Sequence, residues 1–310
     1  MKSILNRFWK RIKKNGIAED DGRESYLSVP DGYRFIYPIG HYYSLYPKME
    51  DVLKGPDWPL QDVLHPIPGI DFNERKQNQI LEQMMELYPT IPQWKYVGEE
   101  DPKYRFRLGN SNFCPGDAIG LFTMLQIIRP KHLIEVGSGY TSTITLDVNE
   151  YILDHRMEVS FIEPYPELLK SLLKPGDTPE LSNCGLQEIP LSYFERLDDG
   201  DVLFIDSTHV SKYGSDVNYL FFNVLPSLKK GVYVHLHDIF YPFEYPQGWI
   251  EIGAVWNELY LLRAFLQYNN SFEIIWFQNM MDKVHRKEIE EKWPLNEPIG
   301  GASFWMRKKV

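Results

Sequence analysis

The chain has 310 residues, of which 43% are apolar, enough to bury the core of one large α/β domain or two modest ones. A net charge of −10 and a pI near 5.4 exclude a general nucleic-acid binder, which needs a phosphate-neutralising surface. Two cysteines, Cys114 and Cys184, exclude a disulfide framework or a zinc-type spacing, and no apolar run reaches the ~20 residues of a membrane span.

Met1–Lys14 carries Lys2, Arg7, Lys10, Arg11, Lys13 and Lys14 and no acid, with Ile4, Leu5, Phe8, Trp9 and Ile12 at helical spacing on one face. It lacks the long apolar core and small-residue cleavage site of a secretory signal. Two readings stand: peripheral contact with an anionic membrane surface, or a terminal helix docked on a neighbouring subunit of a homo-oligomer. The expected compartment is the cytoplasm, with the inner face of the membrane open. Residues 1–25 form this helix and a polar linker. Residues 26–130 read as an irregular, Tyr- and Pro-rich amino-terminal arm, then a helix over 72–88 capped by Asp71 and a helix over 118–128, all packing on a catalytic domain at 131–310.

From residue 131 onward strands and helices alternate, which predicts a mostly parallel sheet with helices on both faces. The expected strands are 132–137, 159–163, 184–189, 201–206 and 231–237, followed by 272–277 and 303–307. The expected helices lie near 141–154, 166–173, 216–228, 251–269 and 283–292.

The first strand ends in Glu135-Val-Gly-Ser-Gly-Tyr-Thr-Ser142, a strand–turn–helix of the nucleotide-binding type. Gly137 and Gly139 permit a tight turn and close approach of a ligand that a side chain would block, and the following helix points free N–H groups at it. Glu163 ends the second strand and is placed to accept both hydroxyls of a ribose. A dinucleotide fold needs a third glycine where this chain has Ser142, yet Glu163 suits either nucleotide class.

In open α/β sheets the ligand lies at the carboxyl ends of the strands. There the third strand presents Gln187 and Glu188, the fourth ends in Asp206-Ser-Thr-His209, and the fifth ends in His237-Asp238. These groups predict a metal site of Asp206, His237 and Asp238, with Mg²⁺ or Mn²⁺ favoured by the oxygens and Fe²⁺ or Zn²⁺ left open by the imidazole. The metal would lower the pKa of an acceptor hydroxyl, and His209 would take its proton as general base beside Asp206. The competing reading makes Asp206 a loop cap and His237 a hydrogen-bonded structural histidine. Lys212, Asp216 and Asn218 could line an acceptor pocket, the aromatic loop Phe240–Pro246 could stack on a sugar, and Trp256, Asn257 and Glu258 read as structural.

The run EVGSGYTS resembles the first motif of class I S-adenosylmethionine (SAM) dependent methyltransferases, in which the glycine turn lies under the methionine part of SAM. That resemblance implies a Rossmann-like sheet whose last strand is antiparallel. It also implies cofactor contacts from Glu135, Gly137, Ser138, Gly139, Thr141, Ser142, Glu163 and Gln187, and from Asp117 and Asn110 before the first strand. Asp206-x-x-His209 with an acidic fifth-strand end is similar to metal-dependent sugar O-methyltransferases that modify macrolides, His237 standing where those enzymes carry a carboxylate. Over residues 65 to 310, the runs PIPGIDFN, FIEPYPELL, DVLFIDSTHVSKYGSDVNYLFF, VHLHDIFYPFEYP and WNELYLLRAFLQYN resemble a bacterial family of class I methyltransferases associated with surface-polysaccharide biosynthesis. The implied function is O-methylation of a small molecule or glycan. A nicotinamide oxidoreductase and a non-catalytic SAM- or metal-binding component of a polysaccharide assembly complex are the alternatives.

Overall fold

The computed structural model describes residues 37–55 and 67–310. The basic stretch Met1–Lys14 lies outside the described residues, as does the linker that follows it. The chain divides into two compact units. In the smaller one, the described residues comprise 37–55 and 247–255. Its 37–54 segment is a run of turns with Tyr37, His41, Tyr42 and Tyr43 ring against ring, followed by a short helix, Met49–Lys54, that buries no residue.

The larger unit is built on a seven-stranded sheet of order β3-β2-β1-β4-β5-β7-β6. Its strands are β1 His132–Val136, β2 Glu158–Ile162, β3 Glu180–Ser182, β4 Val202–Ile205, β5 Tyr233–Leu236, β6 Phe272–Phe277 and β7 Phe304–Lys308. The first five run parallel, and β7 inserts antiparallel between β5 and β6. This is the mostly parallel sheet that the alternation of elements predicts, with the antiparallel last strand that the resemblance implies. The central strands bury both faces: every residue of β4 is buried, as expected where helices cover both sides of parallel strands.

Helices Glu74–Leu87, Pro115–Ile128 and Tyr140–Tyr151 pack in series, and the first also rests on β6. Asn73 rather than Asp71 is the N-cap of Glu74–Leu87. Asp71 instead accepts the Asn73 N–H at 2.8 Å, fixing the left-handed residue that starts the helix. The third strand differs most from expectation. It covers 180–182, and 186–188 is a 3₁₀ turn. A three-residue edge strand after Pro179 is too short to show a period, whereas the apolar residues Leu186 and Ile189 are buried from a turn. The expected helix over 251–269 is two pieces, Gln247–Glu251 and Glu258–Leu266. The helix after β4 starts at Asp216, capped by the Ser215 hydroxyl, and passes through a π-helical turn at Leu220–Val224.

Candidate functional site

The turn after β1 is held from behind. Glu135 is fully buried, and its carboxyl accepts hydroxyl hydrogen bonds from Thr141 at 2.5 Å, Ser142 at 2.6 Å and Thr145 at 3.4 Å. Burial pushes its pKa up to about 8, against the lowering effect of those hydroxyls. Glu135, Thr141 and Ser142 therefore spend their polar atoms on each other and fasten the helix start to β1. Ser142 also accepts the Gly139 N–H at 3.0 Å.

Gly137 has φ +78°, and a Cβ there would stand 1.9 Å from the Asp206 carbonyl oxygen. A side chain is thus excluded by the residue that follows β4, a reason for glycine that the motif does not reveal. Ser138 and Glu163 do meet at the open end of the sheet. Glu163 accepts the Ser138 N–H at 2.9 Å and the Tyr165 N–H at 2.7 Å. The Ser138 hydroxyl is buried with no hydrogen-bond partner, an orphaned polar atom in the middle of the turn that a ligand would satisfy.

Three further residues expected at the cofactor make hydrogen bonds within the protein. Gln187 is exposed on its 3₁₀ turn and donates to the Gly214 carbonyl at 2.9 Å; it does not stand at a strand end, because β3 closes five residues earlier. Asp117 is buried, and one carboxylate oxygen accepts from the Ala302 and Ser303 N–H groups and the Ser303 hydroxyl at 2.8–3.0 Å. It clamps the approach to β7. Asn110 likewise closes its own loop, accepting the Phe113 N–H at 2.7 Å.

At the ends of β4 and β5, Asp206, His209 and Asp238 come together, each offering one ligand atom within 4.8 Å of the others. His209 Nε2 faces Asp206 Oδ1 at 3.4 Å and Asp238 Oδ2 at 3.6 Å. Its Nδ1 lies 2.9 Å from Glu258 Oε2. His209 and Asp238 both have φ +59°, a left-handed backbone uncommon for such residues and typical of over-determined sites. Asp216 accepts the Thr208 N–H and hydroxyl, and Asn257 both accepts from and donates to the Ser211 backbone, so the 206–211 loop is pinned on both sides of His209. Trp256 lies over the His209 ring, centroids 4.5 Å apart.

Burial opposes a charge on His209, but its bonds to Asp206 and Glu258 outweigh that and hold its pKa well above the ordinary histidine value. Asp206 is lowered: burial raises it, while the charge of His237 and the hydrogen bond from His209 more than compensate.

His237 does not join the group. Both residues lie beyond the end of β5, and the left-handed backbone of Asp238 turns its carboxylate toward His209 while the His237 ring stays inside. His237 turns under the sheet end against Phe113 and His235, with Nε2 3.5 Å from Asp238 and Nδ1 buried without a partner. The aromatic loop after Asp238 is also largely interior: Tyr241, Phe243 and Tyr245 are buried, with Phe243 packed on Phe277 and Phe304. Glu258 is the site residue that sequence reasoning read as structural. It is separated from His209 by 49 residues, and the only signal for it was an acid at the first position of a helix.

No family model matches the chain. An uncharacterized protein of Archaeoglobus fulgidus is 30% identical over 166 residues, 53% of this chain and 75% of that protein. The chain belongs to that protein's family. Among solved structures, the chain is similar to a methyltransferase of Podospora anserina bound to SAH, at TM-score 0.43 and 13% identity over 79% of this chain and 100% of that one. It is similar to an O-methyltransferase of Streptomyces achromogenes involved in tomaymycin synthesis, in complex with SAM, at TM-score 0.38 and 11% identity over 78% and 92%. It is similar to an O-methyltransferase of Bacillus cereus in complex with SAH, at TM-score 0.39 and 12% identity over 76% and 91%. At such scores the fold assignment stands on the strand order.

Proposed function

We propose that this protein is a SAM-dependent O-methyltransferase whose acceptor hydroxyl is held at a divalent-ion site made by Asp206, His209 and Asp238. The observation that supports this reading is the contiguity of the two sites. Asp206 meets the glycine turn through its backbone, with its N–H donating to the Val136 carbonyl at 2.8 Å, and joins the His209–Asp238 cluster through its side chain.

SAM, when bound, supplies an electrophilic sulfonium methyl carbon. The residues around the turn suit it: Ser138 offers an unpaired hydroxyl and Glu163 carries lone pairs beyond the two it spends on backbone N–H groups. A divalent ion in the cluster lowers the pKa of a hydroxyl that meets it. Two carboxylates and one imidazole suit Mn²⁺, between the all-oxygen preference of Mg²⁺ and the nitrogen preference of Zn²⁺. A cation held by the carboxylates would offset the charge that favours the protonated ring, leaving His209 Nε2 free to serve as a ligand. In this reading His209 would be a ligand, the acceptor hydroxyl acidified by the ion would release its proton to solvent, and the pinned 206–211 loop would align the oxygen with the methyl for in-line displacement, S-adenosylhomocysteine leaving as the neutral thioether. The polysaccharide-associated sequence runs support a glycan or sugar-bearing small molecule as acceptor.

Three measurements test the reading. Calorimetry should show SAM binding and no NAD binding, and the reverse would replace it with an oxidoreductase. On an accepted sugar, chelator should abolish methylation and Mn²⁺ restore it, with SAM affinity unchanged. Full activity in chelator would refute the ion. His209→Ala should lose Mn²⁺ affinity together with rate; rate loss with full Mn²⁺ affinity would return His209 to the role of base.

A further inference from the structure

Glu258 lies at the first position of helix Glu258–Leu266 and is 1% exposed. A carboxylate withdrawn from water this far needs partners for both oxygens. It has them two positions apart in one loop: Oε2 faces His209 Nδ1 at 2.9 Å, and Oε1 accepts the Ser207 hydroxyl at 3.0 Å. The connection is reinforced through the backbone. The Asn257 and Glu258 N–H groups both donate to the His209 carbonyl at 3.1 Å, and the His209 N–H donates to Ser207 Oγ at 3.1 Å. The helix start is thus tied to one residue of a loop about fifty positions earlier, and that residue is held in the left-handed backbone region.

A carboxylate accepts and does not donate, so the nitrogen facing Glu258 must carry the proton. In a neutral imidazole the lone pair is then on Nε2, which points between Asp206 and Asp238. We propose that Glu258 is a positioning residue: it fixes His209 in the Nδ1–H form and aims the Nε2 lone pair at a divalent cation held with Asp206 and Asp238. The inference rests on the ion site proposed above and adds its orienting partner. Carboxylates that accept from a ligating histidine set its tautomer and ring angle in this way. Ser207 completes the arrangement by turning the carboxylate edge toward the ring.

The test is a Mn²⁺ titration of the full-length protein, free ion followed by electron paramagnetic resonance, with no turnover required. Glu258→Ala should weaken Mn²⁺ binding by about 10- to 100-fold. Glu258→Gln keeps an acceptor oxygen for Nδ1–H and a donor for Ser207, so it should recover most of that loss. The discriminating pair is made in the His209→Ala background, where Glu258→Ala should have no further effect on Mn²⁺ affinity. If Glu258 serves only to build the helix start, it weakens the ion site equally in both backgrounds, and the proposal falls. It falls too if Glu258→Ala binds Mn²⁺ as the wild type does. Should Glu258→Ala fail to fold, Glu258→Gln decides through ¹⁵N-histidine spectra of the protein saturated with diamagnetic Zn²⁺: the Nδ1–H form of His209 in the wild type and Gln variant supports the proposal, and an Nε2–H or doubly protonated ring in the wild type overturns it. A wild type that takes up no Mn²⁺ marks failure of the ion reading itself, whereas an ion site indifferent to Glu258 marks failure of this inference alone.

Discussion

Arg105 and His209 are each buried among three carboxylates, and the two clusters are closed to different degrees. Around Arg105 every contact is at hydrogen-bond distance: the guanidinium reaches Asp147 at 2.8 Å, Glu150 at 2.8 Å and Asp177 at 2.6 Å, and the Asp147 carboxylate also takes the backbone N–H groups of Arg105 and Phe106. Lys174 adds a second cation at 3.0 Å from Glu150. Around His209 one side is equally closed, at Glu258, but the other meets Asp206 and Asp238 only at 3.4 and 3.6 Å. The first cluster satisfies its charges internally and ties the 105–107 segment to helix Tyr140–Tyr151. The second leaves carboxylate oxygens facing a shared space beside the glycine turn. Burial and charge are common to both; unspent coordination at strand ends distinguishes the site.

Breaking the closed cluster should have the largest effect. Arg105→Met leaves Asp147 buried without its cation and should cost about 3–5 kcal/mol of stability, read as a lower denaturant midpoint. Mn²⁺ and SAM binding by the folded fraction should be unchanged.

Asp238→Asn tests the open cluster in the opposite sense. It removes a carboxylate whose pKa burial has raised, so stability should hold or rise, while Mn²⁺ affinity should drop by at least about tenfold. Loss of stability without loss of Mn²⁺ would make the two clusters equivalent and refute the distinction.

A third prediction concerns Glu135, a buried acid with neither cation nor open coordination. Its folded pKa of about 8 lies above the ordinary value of 4.5, so the native state keeps a proton that the unfolded state releases between those limits. Glu135 therefore lowers stability as pH rises through that window, by about 1.4 kcal/mol per pH unit at most, and contributes no further slope above it. Glu135→Gln should flatten the stability curve between about pH 4.5 and 8, as measured by chemical denaturation at a series of pH values; an unchanged slope would show that the group is already ionised. The smallest effect is expected at the surface. Arg196 and Glu180 pair at 2.9 Å while substantially exposed, so Arg196→Met should change stability by less than about 1 kcal/mol in the same assay.

The sequence alone determined the sheet class, six of the seven strands to within a residue or two, and the placement of Asp206, His209 and Asp238 at neighbouring strand ends. Those features are local: apolar runs, glycine turns and acids that follow them are written in consecutive residues. It missed the short third strand, whose three residues carry no period, and so misplaced Gln187. It grouped His237 with Asp206 and Asp238, whereas the left-handed turn at Asp238, which no local pattern announces, brings His209 into that place. Only the tertiary structure decided that Gly137 is required by the Asp206 carbonyl, that Asp117 holds the start of β7, and that Glu258 reaches back to His209. Each of those pairings joins residues tens to hundreds of positions apart. Their cause is the packing of helix starts and loops against the strand ends, a geometry that the sheet order creates and no spacing along the chain encodes.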